Sequence, residues 1–375
     1  MITLKHKSDC TGCHACQQIC PTSAIEMIAD QEGFLYPKVD TAKCVECGKC
    51  IKTCPVIHPN KPQNPTHVYA SYSNDSKVRG NSSSGGMFTL MARKTLASGG
   101  VVYGAHYTAQ FEVEHLGIES EEEIHKLRGS KYSQSRINNC YSELKAHLND
   151  NRQVLFVGSP CQVAGLKRYL GKEHDKLTLI DFICHGVPSP MVWQRYLSEL
   201  NLKEITHISH RDKSTGWHNY SVNIKGVNHE QTATKILTPF FSDTYIRGFL
   251  SDLYLRPSCH HCPTKGFSSG SDITIADYWE AERTVADDDK GLSMVIPHSP
   301  RGQALFESLD TTTQQGKTSS IQKIAYSSPR IPKARKELFK ALDQGDEPLS
   351  EIVARLTVPP RYKRFTRAIR KMLNI

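Results

Sequence analysis

At 375 residues, with 38% hydrophobic and 23% charged residues, the chain has the composition of a soluble globular protein and the length of two domains. No apolar run approaches the roughly 18–20 residues of a membrane-spanning helix, and Met1 to Lys7 lacks the apolar core of a secretory signal, so a cytoplasmic location is expected. The formal charge of +9 falls to roughly +3 to +5 once two or three anionic clusters of the kind read below are counted, which argues against a general nucleic-acid-binding role.

The first element is a repeat. Cys10, Cys13, Cys16, Cys20 and Pro21 recur as Cys44, Cys47, Cys50, Cys54 and Pro55, each displaced by 34 positions. Thiolates are soft ligands suited to iron–sulfur centres, and a cubane cluster needs four of them. A C-x2-C-x2-C run wraps three ligands around one cubane, and the cysteine before proline reaches across to the other cluster. Cys10, Cys13, Cys16 and Cys54 are therefore assigned to one [4Fe–4S] cluster, and Cys44, Cys47, Cys50 and Cys20 to a second. Zinc would also take thiolates, but its motifs usually pair two short hooks and do not need three ligands plus a Cys-Pro.

Residues 61–67, rich in proline and without apolar periodicity, read as a linker between an N-terminal domain over 1–60 and a body over 68–330. Within the body, Ser82 to Gly86 leads into a helix over Met87–Ala97, closed by Gly99-Gly100 and followed by a strand over Val101–Ala105. A strand over Gln153–Val157, a helix over Val163–Leu170, a strand over Leu177–Ile183 and a helix over Val192–Leu200 continue the alternation. The expected fold is thus an α+β ferredoxin-like N-terminal domain followed by an α/β body with parallel strands. The acidic runs Glu121–Glu123 and Asp287–Asp289 read as solvated surface or turns. Residues 331–375 form a basic helical tail. From Val353 onward it has seven Arg or Lys and no acid, and Pro359-Pro360 is placed to start a helix with Phe365, Ile369, Met372 and Leu373 on one side. Such a helix packs on the body or makes peripheral contact with acidic partners or lipid headgroups.

Five cysteines lie outside the repeat. Cys161 and Cys184 each follow a predicted strand, so a right-handed crossover brings both to one edge of a parallel sheet, where open α/β folds bind ligands. Cys259 and Cys262 offer a two-thiolate hook. The four suit a third cluster, a zinc ion or no metal at all, and Cys140 reads as an ordinary buried thiol.

Several motifs appear together and in one order: Ser83-Ser84-Gly85-Gly86, Leu127-Arg128-Gly129-Ser130-Lys131-Tyr132, Gly158-Ser159-Pro160-Cys161-Gln162 and Cys184-His185-Gly186-Val187-Pro188. Arg211-Asp212-Lys213 with Gly216-Trp217, Arg256-Pro257-Ser258-Cys259, and Ser271-Asp272-Ile273-Thr274 with Asp277-Tyr278-Trp279 complete the set. Over roughly residues 68–330 the chain resembles the coenzyme F420 hydrogenase/dehydrogenase beta-subunit family. The resemblance implies a flavin-binding body that holds FAD beside an iron–sulfur cluster and exchanges electrons with a deazaflavin, a ferredoxin or another organic partner. Related proteins also occur with polysaccharide biosynthesis, so the family alone does not fix the substrate.

No G-x-G-x-x-G fingerprint follows a predicted strand. Ser84, Gly85 and Gly86 before the first helix are one candidate for holding a pyrophosphate, and also suit a plain helix cap. Lys131, Tyr132 and Ser133 offer a charge, a stacking face and a hydroxyl, and also suit a basic surface loop. The resemblance, more than the residues, directs both toward FAD. No His or carboxylate pair marks a catalytic acid. The leading reading is an FAD- and [4Fe–4S]-dependent oxidoreductase working with a redox partner protein or a reduced coenzyme. The rival is a non-enzymatic electron-transfer adaptor serving a separate reductase.

Overall fold

The computed structural model describes residues 1–279, 287–345 and 347–357. At the amino end, helix α1 (Ala15–Gln18), strands β1 (Ile25–Ala29) and β2 (Leu35–Val39) and helix α2 (Lys49–Lys52) form a small module around an antiparallel hairpin. The residues after it are pinned to the body. The Asn60 amide donates to the Ser268 carbonyl at 3.0 Å, and the Gln63 N–H to that of Gly266 at 2.8 Å. The proline-rich stretch is thus a strap along the surface.

The body opens with β3 (Tyr69–Ser73), α3 (Ser76–Gly80), α4 (Met87–Ala97), β4 (Val101–Tyr107), β5 (Val113–Ile118) and α5 (Ile124–Leu127). It continues with α6 (Cys140–Asn149), β6 (Val154–Val157), α7 (Pro160–Leu170), β7 (Leu177–Phe182) and α8 (Pro190–Ser198). Strands β8 (Glu204–Asp212), β9 (Ser221–Val227) and β10 (Ala233–Pro239) form a separate antiparallel meander, followed by α9 (Thr244–Leu250). Then come β11 (Ile273–Asp277), β12 (Ser293–Pro297), α10 (Pro300–Glu307), β13 (Thr311–Gln315), α11 (Arg335–Gln344) and α12 (Leu349–Thr357).

Eight strands make the central sheet, in the order β13-β3-β12-β11-β7-β6-β4-β5. Its middle, β4, β6, β7 and β11, is parallel, as the strand–helix alternation predicts. Both flanks are antiparallel, so the sheet is mixed, not uniformly parallel. On one side β5 returns from β4 through a short turn in which the Thr108 N–H bonds the Glu112 carbonyl. On the other, β3 pairs with β12 and β13 from the far end of the chain. The central strands are apolar on both faces, as burial on both sides requires. Val101, Tyr103, Phe156 and Leu179 meet Tyr141, Val163 and Leu166 of α6 and α7. Val102, Leu155 and Ile180 meet Met87 and Met91 of α4 and Phe306 of α10.

The C-terminal segment divides. Leu338, Leu349, Ile352 and Val353, on α11 and α12, are fully buried with Trp193, Tyr245 and Ile246, so these two helices belong to the body's core. The helix read from Pro359 onward lies outside the described residues. The acidic run at 287–289 is tied down: Asp287 pairs with His218, Asp288 with Arg79, and Asp289 accepts the His218 N–H. Among the described residues no helix is long and apolar enough to cross a membrane.

Candidate functional site: three sets of thiols and a neighbouring loop pair

All thirteen cysteines are free thiols. In the N-terminal module the 34-residue repeat extends to the backbone. Gly12 and Glu46 take left-handed φ values of 70° and 49°, and His14 and Gly48 take 62° and 72°. These bends reverse the chain between successive cysteines, which turns the sulfurs of each run to one side. They also launch α1 and α2 at equivalent places.

The structure gathers the thiols across the two runs. Cys20 lines one cavity with Cys44, Cys47 and Cys50, and this outer set reaches solvent, since Cys47 is exposed. Cys54 instead lies with Cys10, Cys13 and Cys16. Burial drives Cys16 well above the ordinary thiol range and Cys13 up to about 12, and the neighbouring thiols Cys10 and Cys54 push each further. Buried, crowded thiols of this kind need a cation to hold them as thiolates, which is the demand a metal cluster meets.

The later cysteines form a third set. Cys161, Cys184, Cys259 and Cys262 line one cavity of about 610 Å³, counting its open mouth. The parallel β6 and β7 deliver Cys161 and Cys184 to the same sheet edge. Ser159 and Gln162 form a capping box with Pro160 in the first turn, which fixes Cys161 at the start of α7. Cys259 sits in the tight helical turn Pro257–His261 and accepts the Val187 N–H at 3.4 Å. Burial pushes Cys161 up to about 11 and Cys259 up to about 12, with Cys262 adding to both. Among the described residues no three Cys, His, Asp or Glu side chains close on a single ion position.

The inner and third sets are neighbours. Thr11, beside Cys10, lines the third cavity, and Cys161 is among the thiols that raise Cys13. One turn along α7 from Cys161, Gly165 leaves room for Cys13: a Cβ there would stand 2.9 Å from its sulfur. Positions four apart on a helix are about 5–6 Å apart at Cβ, so the two sets abut. Gly165→Ala is expected to disturb the inner set without removing a ligand. Overpacking of about 1–3 kcal/mol should make iron about tenfold more easily lost to a chelator, with secondary structure by circular dichroism unchanged.

Arg256 ties these parts together, a role its motif alone did not reveal. Fully buried, it donates from Nε to the Cys10 carbonyl, from Nη1 to Gln134 Oε1 and from Nη2 to the Leu35 carbonyl, each at 2.8 Å. Gln134 in turn donates to the Thr11 carbonyl at 3.0 Å. Gly12 is glycine because a Cβ would strike both Gln134 and Arg256.

Gln134 directly follows Lys131, Tyr132 and Ser133, the second loop read as a flavin contact, and the structure joins that loop to the first. The Ser130 N–H and hydroxyl both donate to Ser83 Oγ, at 2.9 and 3.1 Å. Gly86, with φ +99°, starts α4 without a side-chain cap, which leaves the first-turn N–H groups to an anion. The other candidates are engaged by the protein. Ser84 donates to the Leu292 carbonyl and the Gly85 N–H to Ser293 Oγ, and a Cβ on Gly85 would collide with the Ser71 carbonyl. The Lys131 ammonium caps α5, donating to the carbonyls of Leu127, Arg128 and Gly129, and burial pushes it down to about 7. The Tyr132 ring packs on Phe249 and edge-on to His210. Ser133 is buried with no partner for its hydroxyl among the described residues, and neither Nε nor Nη2 of the buried Arg211 finds one. Gly86, Ser133 and Arg211 therefore fit a polar ligand better than Ser84, Gly85 or Lys131 do.

Residues 9–57 match the 4Fe-4S dicluster domain. Residues 68–140 and 151–321 match the N- and C-terminal parts of the coenzyme F420 hydrogenase/dehydrogenase beta subunit. One component of the Na(+)-translocating ferredoxin:NAD(+) oxidoreductase complex of Acetobacterium woodii is 44% identical over 46 residues, 12% of this chain and 13% of that one. An uncharacterized polyferredoxin-like protein of Methanocaldococcus jannaschii is 36% identical over 66 residues, 16% of this chain and 39% of that one. NADH-quinone oxidoreductase subunit I 2 of Geobacter metallireducens is 36% identical over 55 residues, 13% of this chain and 42% of that one. The chain thus spans less than half the length of the curated relatives it matches. A solved chain of the F420-reducing [NiFe] hydrogenase complex from Methanosarcina barkeri superposes with a TM-score of 0.44 at 14% identity, over 79% of this chain and 91% of that one.

Proposed function

Because this chain belongs to the coenzyme F420 hydrogenase/dehydrogenase beta-subunit family and carries a 4Fe-4S dicluster domain, we propose that it is an iron–sulfur flavoprotein oxidoreductase. It would relay electrons between [4Fe–4S] clusters, FAD and a deazaflavin, a ferredoxin or another organic partner. The observation that carries this reading is the succession of three four-thiol sets, from the exposed Cys47 past the buried Cys13 and Cys16 to the end of the central sheet at Cys161 and Cys184. The outer set would be held by Cys20, Cys44, Cys47 and Cys50, the inner by Cys10, Cys13, Cys16 and Cys54, and the third by Cys161, Cys184, Cys259 and Cys262. Bound clusters supply single-electron carriers, and FAD supplies the exchange between one-electron and hydride chemistry.

The protein's own residues position these groups. Arg256 locks the inner set, the Gln134 loop and the Cys259 turn to one another. Hydrogen bonds to sulfur, from Val187 N–H to Cys259 and between the Ser159 hydroxyl and Cys161, would tune a cluster held by the third set. His185, which lines that cavity beside Cys184, packs edge-on to Phe249, and Phe249 packs on Tyr132, which gives a contiguous path to the Ser83–Ser130 loop pair where FAD would sit.

The test is iron, sulfide, zinc and flavin analysis after anaerobic purification. About twelve irons and one FAD per chain support the full reading, whereas about eight irons with zinc would remove the third cluster. One observation favours the adaptor as a second reading: Ser84, Gly85 and Lys131 already spend their polar groups on the protein. Twelve irons without flavin, and no turnover when FAD is supplied, would select the adaptor.

A further inference from the structure

Beside the third set lies a carboxyl group that cysteine chemistry does not require. Asp181 is 2% exposed, stands on the strand that delivers Cys184, and forms part of the wall of the same cavity. Its register partner on β11 is Thr274, whose hydroxyl is 2.5 Å from Asp181 Oδ1 and 2.8 Å from His298 Nε2. Ser269 donates to Asp181 Oδ2 at 2.6 Å. Carboxyl, hydroxyl and imidazole therefore form a continuous hydrogen-bonded row from the cavity wall to His298, which is half-buried against Phe267. A threonine hydroxyl both donates and accepts, so the row can carry a proton either way by reversing its bonds.

We infer that Asp181 is a proton-loading site for the third thiol set: it takes up one proton, through His298 and Thr274, when a low-potential iron–sulfur donor delivers one electron to the cluster those thiols would hold, and releases it on oxidation. One electron and one proton enter together, so the charge of the buried site is unchanged. This inference rests on the reading of Cys161, Cys184, Cys259 and Cys262 as a cluster site. The physical cause is the cost of adding negative charge to a low-dielectric cavity wall, which a titratable neighbour offsets by binding a proton. Burial already pushes the Asp181 carboxyl up to about 6, against the pull of Ser269 and Thr274, and burial holds His298 down near 4, so it relays as a neutral imidazole.

The other charged groups around Asp181 are committed elsewhere. On β11, Asp277 pairs with Arg211 at 2.7 Å, and Asp272 just before it pairs with Arg301 at 3.3 Å. On α7, Lys167 pairs with Glu173 at 2.9 Å and reaches the Gly270 carbonyl beside the Ser269 turn. Also lining the cavity, Lys265 donates to the carbonyls of Cys184 and Ile324 at 2.6 Å each, and His185 pairs with Asp252 at 2.5 Å. Asp181 is the carboxyl on that wall whose bonds come from neutral hydroxyls.

The experiment follows the midpoint potential of the third cluster in the whole, anaerobically loaded chain by electron paramagnetic resonance over a pH series. The relevant signal is the one that Cys184→Ser removes. Above about pH 6 the wild-type potential should fall by up to about 59 mV for each tenfold drop in proton activity, while that of Asp181→Asn stays flat. A flat wild-type potential, or an equal slope in Asp181→Asn, overturns the inference. Reduced-minus-oxidised infrared spectra give a second reading on the wild type alone: a protonated-carboxyl band should appear on reduction and shift in D2O, and its absence counts against the assignment. About eight irons per chain would instead overturn the third cluster itself, a failure visible in the metal content before any titration.

Discussion

Arg256→Met should cost about 4 kcal/mol, roughly a thousandfold in the folded-to-unfolded ratio, without touching a metal ligand. The side chain is fully buried, and its three donors serve Cys10, Gln134 and Leu35 while its guanidinium lies 4.3 Å from the Tyr36 ring centroid. Hydrogen bonds to a charged group are worth about 1.5–3 kcal/mol each, and removing the donor takes that partner from three half-buried acceptors. Methionine fills much of the volume, so the loss reports the bonds more than a cavity. Arg256→Lys keeps the charge but not the planar fork and should lose about half as much. The measurement is the urea midpoint of the cluster-loaded chain, followed by bleaching of the iron–sulfur absorbance. A midpoint equal to wild type in Arg256→Met would refute the bracket.

Cys20→Ser should strip the outer set of its metal although Cys20 belongs to the first sequence motif, and Cys54→Ser should strip the inner set. Each variant should lose about four of about twelve irons, so total iron does not separate them. The surviving neighbours do. Loss of the outer set leaves the inner set against the third, whereas loss of the inner set interrupts the row, because Cys13 is the thiol that meets α7. Electron transfer from an external low-potential donor to the third set should therefore slow far more in Cys54→Ser than in Cys20→Ser after the outer input is bypassed with a small dithionite-type reductant. The opposite ranking would mean that each cluster takes its four cysteines from a single run.

Much of this arrangement is legible in the sequence because it is local. The 34-residue offset locates both cysteine runs, and Ser82 to Gly100 marks the bounds of α4 through its glycines. Cys161 and Cys184 fall at one sheet edge because the strand–helix–strand pattern of β6, α7 and β7 carries its own handedness. What escapes is set by distant partners. The antiparallel flank depends on β3 pairing with β13, more than 230 residues later, and no local pattern gives a strand its direction. Arg256 reads as an ordinary arginine before a proline until its partners, 246, 122 and 221 residues away, come together. Lys131 looks like a ligand's counter-charge, yet three carbonyls at the end of α5 claim it. Glu46 and His14 occupy left-handed positions that composition would assign to glycine, and only the repeat links them. The one signal for Asp181 is an acid inside the apolar strand Leu177–Phe182, an exception to burial rules that marks a functional candidate.

The central claim is that the inner and third thiol sets hold cubanes close enough to sense one another. Electron paramagnetic resonance of the fully reduced, anaerobically prepared chain tests it most directly. Interacting clusters should give a broadened spectrum that simplifies when Cys184→Ser removes the third. Zinc bound at Cys161, Cys184, Cys259 and Cys262, or an unbroadened spectrum that Cys184→Ser leaves unchanged, would contradict it.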